Sequence, residues 1–396
     1  MHRRTKRDSS SSYDGKMEHE TQKLQLKREL GLVSAVSLIT GTMIGSGIFM
    51  SPQWVLHYMG SPGASLLIWA ACGVLSMLGA LSYAELGTVI RESGGEYIYI
   101  LRNVGTLPAF LMAYTSIIVL RPASIAAISI GFSEYVVAAF YQDCPLPQVA
   151  VKCTAAACIL VLSIINCLNV RLSASLMNFF TAAKLIALLI ITVGGMVFLA
   201  KGNTQVFQNA FENTAVGFGP VGVAFYQGLW SYDGWNNLNP VIEELKNPEP
   251  NILSMVHVKR LTPSPALILT SAISLIMIIP SDFSTIVNYT SFTTWLFYGT
   301  TIAGLIYMKI KKPDIPRPYK VPIIIPGIVL IAAIYLVLAP IIDSPQLEYL
   351  YVVLFILSGV IVYIPVVHYK WSPKCFRSIT LYLQLLLEVS PAEKND

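Results

Sequence analysis

Ten apolar stretches, each long enough to cross a lipid bilayer, constrain this chain more than any other feature. They run over 32–56, 64–90, 108–140, 149–168, 176–200, 217–244, 264–280, 285–308, 321–342 and 347–369. A helix needs about 20 mostly apolar residues to span the hydrocarbon core. Inside lipid, every backbone N–H and C=O must find its partner within the segment or a closed sheet, which leaves helices as the solution for runs of this length. An all-α polytopic membrane protein is the expectation. Composition agrees, with 54% of the 396 residues hydrophobic and only 12% charged, where a soluble domain carries about 25% charged residues. The third stretch is long enough for strong tilt.

The loops set the orientation. Arg91 and Arg102, then Arg171, then Lys246, Lys259 and Arg260, then Lys309, Lys311, Lys312, Arg317 and Lys320 fall in alternate connections. The intervening ones carry Asp143, Asp282, and Asp343 with Glu348. Basic loops stay in the cytosol, so both termini are expected there, which an even count of ten satisfies. The net charge of +5 is accounted for by these loops, and no nucleic-acid partner is implied. Met1 to Glu29 is polar, without the short apolar core of a signal peptide. Residues 1–30 are expected to be a disordered cytosolic tail, 31–372 the transmembrane domain, and 373–396 a cytosolic tail in which Ile379 to Val389 forms a short amphipathic helix.

Within the first stretch, Gly41-Thr-Met-Ile-Gly-Ser-Gly-Ile-Phe49 places three glycines and two hydroxyls at bilayer depth. Each glycine costs a helix up to about 1 kcal/mol relative to alanine. A helix broken there offers the N–H groups of its second half to an anion and the carbonyls of its first half to a cation. An amino acid carries both charges on one carbon. The sixth stretch has a similar character, with Gly217-Phe-Gly-Pro-Val-Gly222 followed by Gly228, Asp233 and Gly234. Two interrupted helices, first and sixth, are what an inverted repeat of five plus five would show. The competing reading is that these glycines serve close helix packing.

The motifs Gly41 to Phe49, Ser93-Gly-Gly-Glu-Tyr97 and Trp230-Ser-Tyr-Asp-Gly-Trp-Asn236 resemble the amino acid–polyamine–organocation transporter superfamily. More closely, the chain is similar to the light subunits of heteromeric amino acid transporters, in particular the branch exchanging cystine, neutral and dibasic amino acids. The resemblance implies the LeuT-type inverted-repeat fold with discontinuous first and sixth helices. It also implies a sodium-independent antiporter in the plasma membrane, apical in epithelia. By the same resemblance the substrate carboxylate meets Gly45, Ser46 and Gly47, and the amino group meets carbonyls at Thr42 and Met43 and near Trp230, an aromatic gate. Asp233 stands where a member accepting dibasic substrates has an acid, and a buried counter-charge suits a cationic side chain. Asp233 paired structurally within the bundle is the alternative. Asn236 is placed to line the same pocket, and Ala123, where the dibasic exchanger has a hydroxyl, is expected to tune side-chain preference.

Of six cysteines only Cys144 falls in an external loop, where disulfides form. An odd external cysteine points to an intermolecular bond or an idle thiol. The resemblance makes it the link to a single-pass type II glycoprotein heavy chain. The family pattern breaks after Glu243-Glu-Leu-Lys-Asn-Pro248, where Asn251-Ile252 runs into a segment resembling the approach to the family's ninth helix. About ninety residues, the seventh and eighth helices, are missing, so about ten spans are expected instead of twelve. The first repeat then covers 31–200, the shortened second repeat 217–308, and the last two spans 321–369.

Enzyme chemistry finds no support. His2, His19, His57, His257 and His368 have no ligand spacing, and no nucleophile elbow or phosphate loop appears. No cofactor and no metal are expected. The rival to a carrier is a shortened, non-transporting isoform that only assembles with the heavy chain.

Overall fold

The computed structural model describes residues 41–90, 92, 94–141, 145–236, 255–257, 264–343, 347–369 and 389–391. The N-terminal tail, the start of the first stretch, Cys144, the junction at Asn251-Ile252 and the tail helix expected from Ile379 lie outside these residues.

The first stretch is broken. Residues 41–43 are helical, residues 44–46 bend, and the helix resumes as α1 (Gly47–Met59). It ends at Gly60, whose φ of 70° is left-handed and whose N–H reaches Leu56 O at 2.8 Å. A side chain there would meet Asn213 O at 2.5 Å, so only glycine fits the turn. α2 (Pro62–Val89), α3 (Glu96–Asn103) and α4 (Thr106–Thr115) follow, and α4 continues through a π-turn (Ser116–Leu120) into α5 (Arg121–Ala138). Then come α6 (Gln148–Leu168), α7 (Val170–Ala200) and α8 (Phe218–Ser231). The chain closes with α9 (Ser264–Ile278), α10 (Phe283–Lys311), α11 (Ile324–Asp343) and α12 (Leu347–Tyr363).

Six described helices are long and apolar enough to cross a membrane: α2, α4 with α5, α6, α7 from Ser175, α11, and α12 with its π-turned end. One departure from an all-α chain is a short antiparallel pair, β1 (Met255–His257) with β2 (Val389–Pro391), in which Val256 faces Ser390. It ties the tail to the connection ahead of α9.

α10 organises the packing. Its buried residues extend from Phe283 to Met308, and it contributes to three apolar clusters. With α1, α2, α8 and α11 it encloses Tyr83, Tyr226, Phe292 and Ile302. With α5, α6 and α9 it holds Phe283, Ile286 and Val287. With α3, α4 and α12 it holds Phe297. α10 is also rich in Ser and Thr, and the hydroxyls of Thr290, Thr293, Thr300 and Thr301 bond carbonyls four residues back at 2.7–2.9 Å. That local satisfaction lets a polar composition sit inside an apolar bundle.

A buried charged staple closes one end. Glu85 of α2 accepts from Lys309 Nζ at 2.6 Å and from Val321 N at 2.8 Å, with Arg317 Nε at 3.7 Å. Lys309 and Glu85 are 5% and 0% exposed, so the pair holds α2, α10 and the approach to α11 together. By contrast α7 has no buried residue in its apolar window.

Candidate functional site

The broken first helix and the end of α8 meet. A Cβ on Gly47 would lie 2.6 Å from Ser231 Cα, so the two backbones touch only because residue 47 is glycine. α1 starts at that contact with Ser46 as its N-cap, whose side chain makes no capping hydrogen bond. The first N–H groups of a helix have no partner inside it. Here Phe49 N and Met50 N turn back to Ser46 O at 3.2 and 3.0 Å, and among the described residues Ser46, Gly47 and Ile48 are the N–H groups of this turn left to donate outward. The partial positive charge of a helix N-terminus adds to them. Gly45 N folds onto Met43 O at 2.9 Å.

α8 delivers the opposite pole. Its last turn closes with Tyr232 N on Leu229 O at 3.1 Å and Asp233 N on Trp230 O at 3.4 Å. The chain then turns through Gly234 at φ 108°. The sixth stretch therefore leaves the helix at residues 232–236. Gly222 and Gly228, expected to help mark it earlier, are helical and serve packing: a Cβ on Gly222 would meet Ala339 Cβ at 3.0 Å, and one on Gly228 would meet Cys72 Sγ at 2.7 Å. Ser231 Oγ is buried with no partner among the described residues.

Beside this junction is a cavity of about 150 Å³, room for about five waters or an amino acid side chain. Trp230, Asp233 and Asn236 line it, as the sequence leads one to expect. Its other walls are Glu96 of α3, the π-turn and start of α5 with Arg121 and Ser124, and Thr290, Ser291, Thr294, Trp295 and Tyr298 of α10. A chain of polar contacts runs across it. Asn236 Nδ2 donates to Glu96 Oε1 at 2.6 Å and to Tyr298 Oη at 3.1 Å, and Tyr298 Oη donates to Asp233 Oδ1 at 3.5 Å. Trp230 sets its ring edge-on to Phe283 at 6.5 Å.

Four placements differ from, or add to, the sequence reading. Thr42, Met43, Gly45, Ser46 and Gly47 are at the helix junction and are not among the cavity-lining residues. Ala123 is 5% exposed, packs in the apolar cluster with Met50 and Phe283, and is not among the cavity-lining residues. Glu96 figured only as part of a motif, and is here a cavity acid. Lys184 of α7, unremarked in sequence, puts Nζ 3.2 Å from Gly41 O. A cation on the last carbonyls before the break is where the dipole of the first half-helix wants one. A lone lysine inside an apolar stretch was the signal available.

A family model described as amino acid permease matches residues 30–252 and 248–366. Over 483 aligned positions the chain is 42% identical to the b(0,+)-type amino acid transporter 1 of Mus musculus, covering 99% of this chain and 98% of that protein. It is 35% identical to the cystine/glutamate transporter of Homo sapiens, covering 94% and 92%. To the large neutral amino acids transporter small subunit 2 of Mus musculus it is 34% identical, covering 93% and 88%. The first alignment is 87 positions longer than the 396 residues of this chain. The two family matches meet at 248–252, where the sequence pattern breaks. The chain belongs to the amino acid permease family, among the light subunits of heteromeric amino acid transporters.

Proposed function

We propose that this chain is the light subunit of a sodium-independent amino acid exchanger for neutral and dibasic amino acids, including cystine and aromatic ones, with the LeuT-type inverted-repeat fold. The contact of Gly47 with Ser231 carries the reading. It sets the positive end of α1 against the negative end of α8, a spacing of charges that suits the carboxylate and ammonium on one α-carbon. The substrate carboxylate takes the N–H groups of Ser46 and Gly47, and its ammonium takes carbonyls near Met43 and Trp230. The side chain extends past Trp230 into the cavity, where Asp233 meets a distal positive charge. Lys184 on Gly41 O occupies the pole where a coupling cation would otherwise sit, in keeping with sodium independence. Cys144 joins the light chain to a type II glycoprotein heavy chain in the plasma membrane.

Proteoliposomes loaded with leucine and given labelled arginine test it. Uptake that depends on internal amino acid, and is equal in sodium and choline, is expected. Uptake into empty vesicles, or uptake that requires sodium, would overturn the exchanger reading. A non-reducing gel of Cys144→Ser tests the heavy-chain bond, which should disappear.

A second reading has its own observation. The alignment 87 positions longer than the chain and the unburied window of α7 fit a shortened isoform lacking two helices, which assembles with the heavy chain without carrying substrate. Heavy-chain pairing on the gel with no exchange in vesicles supports that reading.

A further inference from the structure

The cavity holds one more acid than the dibasic reading uses. Among its lining side chains Glu96 and Asp233 are acids and Arg121 is the base, which leaves the group one positive charge short. The two carboxylates are connected through only two atoms. Asn236 Nδ2 stands 2.6 Å from Glu96 Oε1, Tyr298 Oη stands 3.1 Å further on, and Asp233 Oδ1 a further 3.5 Å. Asn236 engages Oε1 of Glu96, and the Tyr83 hydroxyl stands beside the same carboxyl. The walls between the two acids are aromatic, with Trp235 and Trp295 centred 5.3 and 5.5 Å from the Tyr298 ring and inclined to it by 58° and 81°.

We infer that Glu96 is a second counter-charge for the substrate side chain, and that it makes the site prefer a guanidinium to an ammonium. The inference rests on the reading above, in which Asp233 meets a dibasic substrate. A guanidinium is planar, carries five donors in a fixed fork, and stacks on aromatic faces, so it can address two carboxylates at once along such a wall. An ammonium is a compact point charge that satisfies one of them and loses more hydration in doing so. Asp233 thus selects for positive charge, and Glu96 discriminates between its two chemical forms.

The test is binding, so that it holds whether or not the chain carries substrate across. The full chain, purified from membranes, is titrated with arginine, lysine and leucine, reading ligand-induced thermal stabilisation. The wild type should bind arginine more tightly than lysine. Glu96→Gln should lower the arginine-to-lysine affinity ratio about tenfold, the size of one hydrogen bond between charged groups. Glu96→Asp, which keeps the charge, should restore part of the ratio. Asp233→Asn should weaken arginine and lysine together relative to leucine. If Asp233→Asn has no such effect, the dibasic reading fails and the inference with it. If that variant behaves as expected while Glu96→Gln leaves the ratio unchanged, or weakens all three ligands in equal proportion, the inference alone is overturned and Glu96 is structural.

Discussion

Gly47→Ala should destabilise the chain and weaken substrate binding, while Gly194→Ala should do neither. The two positions share a chemistry, glycine in an apolar helix, and differ in what surrounds them. In either helix the added methyl lowers the entropic cost of folding and gains up to about 1 kcal/mol. At Gly194 nothing lies within 4 Å of the new Cβ, so that gain stands. At Gly47 the new Cβ would sit 2.6 Å from Ser231 Cα and 3.0 Å from Ser231 N. Carbon atoms rest about 3.5–4.0 Å apart, so α1 and α8 must separate by about 1 Å. The obstacle is backbone and cannot rotate aside. Overpacking of this kind costs about 1–3 kcal/mol, and the upper end applies, for a net loss of about 2 kcal/mol. At about 2 °C per kcal/mol for a long chain, thermal unfolding in detergent should fall by about 4 °C for Gly47→Ala and hold or rise slightly for Gly194→Ala. Because the separation also pulls the α1 donors from the end of α8, leucine affinity should drop in the first variant. Equal melting temperatures for the two variants would refute the argument that the helix ends meet at residue 47.

Asp233→Asn should weaken arginine binding about tenfold to hundredfold, the loss of a hydrogen bond between charged groups, measured against leucine on the same preparation. Lys309→Met should cost about 3 kcal/mol in thermal stability, since it strips a cation from the fully buried Glu85. Changing Glu85 and Lys309 together to Met should recover only part of that loss, because Arg317 is left without its acid; an additive double variant would show that the pair is not coupled. Glu96 lies between spans, where burial pushes its carboxyl up to about 7; Asp233 adds to the rise, while the Asn236 amide, Arg121 and Tyr83 work against it. Its charged form dominates above that value and is lost below it, so the arginine-to-lysine preference should fade as pH falls from 8 to 6. A fade of the same size in Glu96→Gln would assign it to another group, with Asp233, Arg121, Tyr83, Tyr99 and Tyr298 the ionisable neighbours.

Local signals were legible and long-range ones were not. Apolar runs and the cluster of Gly41, Gly45 and Gly47 are written in consecutive residues, and they correctly located helices and a break at residues 44–46. The same signal misled at Gly222 and at Gly228. Helix breaking and close packing both favour glycine, and only the presence of Ala339 or Cys72 opposite tells them apart. Ala123 was placed in the pocket by likeness of position, but which face of α5 points to the cavity depends on how α5 packs on α6 and α10. Glu85 with Lys309, and Lys184 with Gly41, join residues more than a hundred positions apart. Each charged residue stands out in or beside an apolar run and invites a search for a partner; hydropathy cannot say which partner.

A shortened second repeat, as in the second reading above, would test what a local pattern can reveal. Removing a pair of spans returns the chain to the side it left, so the alternation of basic loops downstream is unaffected and charge counting passes over the gap. Packing does not pass over it. A helix buried on one face normally shows it in the structure, and α2, at 28 residues, has 39% of its apolar window buried. α7 is longer, at 31 residues, and has none buried in its window. The neighbours described for it are chiefly α6 and, through Lys184, the carbonyl of Gly41. A lysine at bilayer depth is costly without a partner, so the bond to Gly41 O fixes where α7 must lie even where apolar packing does not. The junction of the two broken helices depends on Gly47, Ser231 and the walls supplied by α10, all of which this chain retains. The geometry that would recognise an amino acid is thus built mainly from elements on either side of the gap.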